Sequence, residues 1–221
     1  MLVSKIVSGG QTGVDRGAIE AASEMDADKI LRQKLADSLA VSTYFELLDC
    51  VSRKQVNTKD FRRKFNRFCM VRRGEAWQKI YYGLFSELAE RRTTVTLNDI
   101  LPELDRRIKA KLKQTRLEVS FSSKMLAFLR PADFPIWDSL VVKNMLALYG
   151  VDLKLKVTRS IKAREDEALK RFDELTDWFR KAVKTKEFQK AVRRFNDYLP
   201  KGMGEKVSDM KKLDWLMWAE R

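Results

Sequence analysis

Lys124 and Asp138 are the two residues of this sequence whose types and setting point to chemistry. They lie within Ser120 to Tyr149, SFSSKMLAFLRPADFPIWDSLVVKNMLALY, which reads as helix, turn, helix. Ser122 or Ser123 can cap the first helix, and Met125, Leu126, Phe128 and Leu129 give it an apolar face. Pro131 and Pro135 interrupt the chain, and a second helix is expected from about Asp138 onward. That spacing predicts Lys124 in the first turn of its helix. There the dipole disfavours added positive charge and, with partial burial, lowers the pKa of the amine. Asp138 opens the next helix, and the backbone N–H groups it caps hold it ionised. An amine of lowered pKa near a persistent carboxylate is a usable nucleophile and charge stabiliser. On spacing alone the plainer alternative weighs more: Asp138 as a simple N-cap and Lys124 as a solvated helix residue.

The rest of the composition narrows the chemistry. The chain contains no histidine, which removes Ser–His–Asp and Cys–His triads, His-containing zinc sites and imidazole acid–base catalysis together. Cys50 and Cys69 lie in apolar helical contexts without metal-ligand spacing and read as buried packing residues. Carboxylate, lysine, tyrosine and serine remain, and no cofactor or metal is called for. With 221 residues, 44% of them apolar, the chain is long enough for one domain with a real core. No apolar run approaches a membrane span and no secretory signal is evident, so a cytoplasmic protein without a membrane partner is expected. The net charge of +14 implies a polyanionic partner, and nucleic acid is the usual one.

The segment SFSSKMLAFLRPADFPIWDS resembles the equivalent part of helix-hairpin-helix DNA glycosylases. In those enzymes a lysine at the start of one helix and an aspartate at the start of the next converge on the sugar of a flipped-out nucleotide. It is also similar to a bacterial family carrying the pattern SF-S-K-L, P, PIWDS-V and NL. Matches to that narrower family extend to Phe61 to Tyr81 (FRRKFNRFCMVRRGEAWQKIY) and to Ser208 to Trp218 (SDMKKLDWLMW). The resemblance implies an all-α fold in which Asp138 stabilises an oxocarbenium-like state, and Lys124, where in reach, attacks the sugar carbon. Two departures stand out. The glycosylases carry a Gly-rich hairpin before the lysine, and KLKQTRLEVSFSS here contains no glycine. Asp138 also follows Lys124 by only fourteen residues, a shorter separation than that family's.

The surrounding elements must position these groups. Residues 1–23, MLVSKIVSGGQTGVDRGAIEAAS, read as a short strand, a Gly-rich turn and a helix, a phosphate-cradle arrangement. They resemble the N-terminus of molybdenum-carrier proteins of Rossmann-like fold. Nothing after them alternates strand with helix, so they are expected to be a leader on a helical body spanning residues 28–221. That body begins with a helix or helix pair divided near Ser42. Phe61, Phe65 and Phe68 form an apolar face, and Arg62, Arg63, Lys64, Arg67, Arg72 and Arg73 form a basic cluster suited to phosphate contact. Glu75 to Arg92 is a helix with Trp77 and Tyr81 on its inner side; Thr96 and Asp99 open another over Leu97 to Leu112. Arg106, Arg107, Lys109, Lys111, Lys113 and Arg116 make the densest basic run, where the missing hairpin would meet DNA. A long helix over Thr158 to Val183 with Ile161, Ala168, Phe172, Leu175 and Phe179 inward, one over Lys186 to Tyr198, and an apolar helix from Ser208 to Glu220 complete the body.

The sequence reading is therefore an all-α, monomeric DNA glycosylase-like enzyme acting on double-stranded DNA. It excises a modified base from a flipped-out nucleotide and leaves an abasic site, with lyase activity if Lys124 reaches the sugar. Asp138 and Lys124 are the catalytic candidates, and Trp137, Tyr81 and Trp77 the base-pocket candidates, Trp137 being alternatively a helix-entry staple. Arg62, Arg63, Arg67, Arg72, Arg73, Arg107, Lys111, Lys113 and Arg116 are the candidate DNA contacts. The substrates open to it include oxidised, alkylated and deaminated bases, and the hypermodified cytosine of phage DNA, which would make it a defence protein. The alternative is a non-catalytic nucleic-acid-binding protein of the same fold. A third, nucleotide-sensing reading rests on residues 1–23.

Overall fold

Thr58, Thr96, Asp138, Ser160 and Thr185 each stand one residue ahead of a helix, where a short oxygen-bearing side chain can satisfy otherwise unpaired backbone N–H groups. The computed structural model describes residues 38–155, 160–199 and 201–219, and among these every regular element is helical. In chain order the helices are α1 (Ser38–Ser52), α2 (Lys59–Phe68), α3 (Glu75–Ala89), α4 (Leu97–Leu112), α5 (Val119–Leu129) and α6 (Ser139–Tyr149). Then follow α7 (Ile161–Ala182), α8 (Lys186–Tyr198), a 3-10 turn (Gly204–Lys206) and α9 (Asp209–Ala219). The all-α expectation holds for these residues, whereas the expected strand, Gly-rich turn and helix of residues 1–23 lie outside them.

α5 lies among α1, α3 and α4, and α9 packs on α6, α7 and α8. The aromatic rings predicted to face inward join the first group. Phe65 stacks on Phe61 at 5.4 Å and meets Phe85 and Phe128 edge-on at 5.7 and 5.1 Å. Such pairs contribute about 0.5–1.5 kcal/mol each beyond the area they bury. Tyr44 links the two groups, touching Phe128 of α5 at 5.6 Å and Trp215 of α9 at 5.2 Å. The C-terminal helix docks as its apolar content requires, with Leu213 and Leu216 buried.

Three local expectations are corrected. α1 runs unbroken through Ser42, because Val41, Tyr44 and Leu47 bury one continuous stripe. Ile161 is exposed: it is the first residue of α7, ahead of the turns that reach the core. Ser122 and Ser123 do not cap α5. The helix begins at Val119 with Glu118 as its N-cap residue, so both serines are interior and fully buried. Lys124 is then the sixth residue of α5 and not in its first turn, where the spacing predicts it.

Candidate functional site

The turn between α5 and α6 is held by side chains that the sequence had offered for other roles. Ser123 Oγ accepts the Trp137 N–H at 2.9 Å and lies 3.3 Å from the Trp137 carbonyl, to which it can donate. That clasp joins the residue before Lys124 to the residue before Asp138. Pro131 and Pro135 keep the intervening segment out of helix, as expected. The Asp138 carboxylate accepts the Leu140 and Val141 N–H groups on Oδ1 at 2.9 and 3.0 Å. Among the described residues its Oδ2 has no hydrogen-bond partner, and the residue is partly exposed. The cap and a chemically free oxygen therefore coexist on one side chain.

Lys124 is partly buried, donates from Nζ to the Cys69 carbonyl at 3.1 Å and lies 5.3 Å from the centre of the Phe121 ring. Lys124 and Asp138 both act electrostatically on the Cys69 thiol, which burial pushes up to about 12 against the opposing pull of Lys124 and Lys211. The structure thus brings Lys124 to the C-terminal end of α2. It also commits the lysine amine to a backbone carbonyl.

α9 supplies two groups that the sequence reading missed. Lys211 and Asp214, 6% and 3% exposed, form a buried ion pair, and Lys211 also lies 5.6 and 5.4 Å from the ring centres of Tyr44 and Trp215. Asp214 Oδ1 accepts the Ile136 N–H at 3.2 Å, two residues before Asp138. Burial raises the Asp214 carboxyl, Lys211 opposes the rise, and Asp138 adds to it. Burial likewise raises the Tyr44 hydroxyl, helped by Asp214. Ser208, just ahead of α9, donates from Oγ to the Pro131 carbonyl at 2.6 Å, and Asn144 Nδ2 of α6 donates to the Met217 carbonyl of α9 at 2.7 Å, so the C-terminal segment is tied to both the turn and α6. The signal in the sequence was three charges, Lys211, Lys212 and Asp214, inside a largely apolar terminal helix, MKKLDWLMW.

The three base-pocket candidates occupy buried positions. Tyr81 is fully buried, donates to the Phe121 carbonyl at 3.0 Å and stacks on Trp77 at 4.9 Å, so both rings are core. Tyr82, its neighbour, is buried as well. Trp137 is also buried, which fits the staple at the entry to α6 and not an open wall. A groove beside α6 is lined by Ser139, Val142, Lys143, Leu146, Ala147 and Lys154.

The candidate DNA contacts divide into free and committed cations. Arg67, Arg72 and Lys111 are exposed and carry no ion pair among the described residues. Arg63 is exposed beside Asp60, Arg62 bonds Asn57 and lies over the Tyr82 ring, and Lys113 donates to the Ala110 carbonyl at 3.2 Å. Lys64 is held by Asp60 and Glu46. Arg73 is not free: it grips both oxygens of Glu118 at 2.9 and 3.0 Å, a carboxylate only 6% exposed, and lies over Phe121 and Trp77. Arg116 approaches the same carboxylate at 3.7 Å. Arg107 reaches Glu87 and Glu103 at 2.7 Å each, joining α3 to α4. A phosphate would have to displace these carboxylates.

Arg107→Ala is accordingly expected to lower stability by roughly 1 kcal/mol, a figure already discounted for solvent screening, and to leave DNA affinity nearly unchanged. Arg106 and, less strongly, Arg107 hold the Glu103 carboxyl down to about 2, and Arg107 lowers Glu87. That stabilisation is present above the ordinary carboxylate range and is lost as pH falls toward about 2, so the gap between variant and parent should close in acid. Urea denaturation at pH 7 and pH 3 checks it; a gap that widened in acid would contradict the assignment.

The sequence matches no protein-family model and no curated protein, and the fold matches no solved structure.

Proposed function

We propose that this protein is a DNA glycosylase-like hydrolase that releases a modified base from duplex DNA through Asp138. The observation that carries the reading is the state of that side chain. One carboxylate oxygen is fixed by two backbone N–H groups, the other has no hydrogen-bond partner among the described residues, and the residue is partly exposed. A carboxylate anchored in this way stabilises positive charge developing on a sugar without reorganising. It also accepts the proton of a water whose oxygen bonds to the sugar carbon as the bond to the base breaks; the departing base takes a proton from solvent. The +14 charge and the free cations Arg67, Arg72 and Lys111 support DNA as the partner.

The water-directed route is favoured over a lysine nucleophile, because Lys124 lies inside α5 with its amine on the Cys69 carbonyl. Duplexes carrying oxidised, alkylated, deaminated or hypermodified bases should therefore include at least one converted to an alkali-labile abasic site. Borohydride should trap no covalent complex, and Lys124→Ala should retain base release. Trapping that disappears in Lys124→Ala would overturn the water route. Binding without base release from any duplex would leave the second reading, a nucleic-acid-binding protein without chemistry. That reading is favoured by the burial of Trp77, Tyr81 and Trp137, which leaves no base pocket of those rings.

A further inference from the structure

The groove beside α6 joins uncovered apolar surface to free charge. Val142, Leu146 and Ala147 line a space of about 300 Å³, and none of the three is buried. Lys143 and Lys154 line it as well; both are exposed and carry no ion pair among the described residues. Elsewhere an exposed lysine is often met by a carboxylate one helical turn away, as Lys79 is by Glu75 at 3.1 Å and Lys162 by Glu165 at 2.7 Å. Two unanswered lysines beside open apolar surface are complementary to an apolar residue set between two carboxylates.

The chain itself holds such a stretch. Residues 20–28, EAASEMDAD, carry Glu20, Glu24, Asp26 and Asp28 and no cation, in a protein whose net charge is +14. Within it Met25 stands between Glu24 and Asp26, the inverse of the groove in both shape and charge. Methionine is unbranched and fills irregular apolar gaps. The stretch lies outside the described residues, and Asp26 precedes Ser38, the first residue of α1, by twelve positions. Extended chain of that length reaches about 40 Å, about the width of a domain of this size. The start of α1 also lies in the half of the body that carries the groove: Tyr44, within its first two turns, touches Trp215 of α9 at 5.2 Å, and α9 packs on α6.

We propose that residues 20–28 dock within the same molecule in the α6 groove, Met25 against Val142 and Leu146, and Glu24 and Asp26 on Lys143 and Lys154. The tether lets weak contacts suffice, because a segment joined by a short chain is presented to its site at an effective concentration of about millimolar order. Ser139, which lines the groove, directly follows Asp138, so the docked segment reaches the neighbour of the candidate carboxylate. It also occupies two lysines that a polyanion would otherwise use, and so acts as an acidic self-cover that the polyanion must displace. The docking is independent of the reaction assigned to Asp138; the cover alone rests on DNA as the partner.

The test is zero-length crosslinking of the full chain with a carbodiimide, which joins a carboxylate to an amine where the two touch, followed by mapping of the joined peptides by mass spectrometry. In the monomer fraction Glu24 or Asp26 should be joined to Lys143 or Lys154, and salt at about 1 M should remove most of the product. Glu24→Lys with Asp26→Lys should abolish it, as should Lys143→Glu with Lys154→Glu. All four changes together should restore it, because the carboxylates and amines have only exchanged sides. Met25→Ser, which leaves the charge unchanged, should lower the yield several-fold. Links scattered over other lysines, links found only between differently isotope-labelled copies, or a fourfold variant without restored links would overturn the docking. The cover is read separately: Met25→Ser should bind duplex DNA several-fold more tightly than the parent, and equal affinity would overturn it. A parent that binds no duplex would overturn the cover together with the choice of partner, with the docking still judged by the crosslink.

Discussion

Asp138→Asn is expected to lower base release by at least about 10²-fold while leaving DNA binding and thermal stability close to those of the parent. Asparagine caps a helix about as well as aspartate, so the two hydrogen bonds to Leu140 and Val141 survive the change. What is lost is the negative charge and the proton acceptor. Asp138→Ala removes the cap as well and should cost roughly 1 kcal/mol of stability, so the pair of variants separates charge from scaffold. The measurement is single-turnover conversion to abasic sites on whichever duplex proves active. Undiminished release by Asp138→Asn would leave the carboxylate as a cap and nothing more.

The largest structural effect is expected at the buried pair of α9. Asp214→Ala strands the Lys211 ammonium where almost no water reaches it and unpairs the Ile136 N–H in the turn before Asp138. Breaking a buried pair from one side costs about 3–5 kcal/mol, which for a chain of this length lowers the melting midpoint by roughly 6–20 °C. The double replacement Lys211→Met with Asp214→Leu should recover most of that loss, because it removes both charges and refills the volume. It would not restore the Asp214–Ile136 bond. A refolded double variant that still releases base more slowly would assign Asp214 a positioning role for Asp138. Thermal or urea denaturation reads the first effect. A loss below about 1 kcal/mol in Asp214→Ala would mean that the pair is well solvated, contrary to its burial.

Much of the helical body was legible because its signals are local. Thr96 with Asp99 placed the start of α4, Pro131 and Pro135 placed the break, and Asp138 as N-cap placed α6; each is settled within a few residues of chain. Helical spacing likewise identified Phe61 and Phe65, Phe172 and Phe179, and Leu213 and Leu216 as core. The start of α5 was misplaced although two serines offered good caps. Burial of the helix across Val119, Ser122 and Ser123 outweighed the preference, and Ser123 found its partner at Trp137, fourteen residues on.

The sequence by itself thus determined that Thr96 and Asp138 open helices, which helix faces turn inward, and that the chain carries excess positive charge. All of these follow from backbone hydrogen bonding, side-chain period and composition. Only the tertiary structure decided which cations are free. Arg73 finds Glu118 forty-five residues away and Arg107 finds Glu87 twenty residues away, whereas Arg67 and Arg72 are left without such partners among the described residues. It also decided that Trp77 and Tyr81 pack on one another and that Lys211 and Asp214 meet beneath the turn carrying Asp138. Pairing and burial depend on which distant segments share a neighbourhood, and that is set by the sum of packing over the whole core, not by any stretch of chain short enough to read alone.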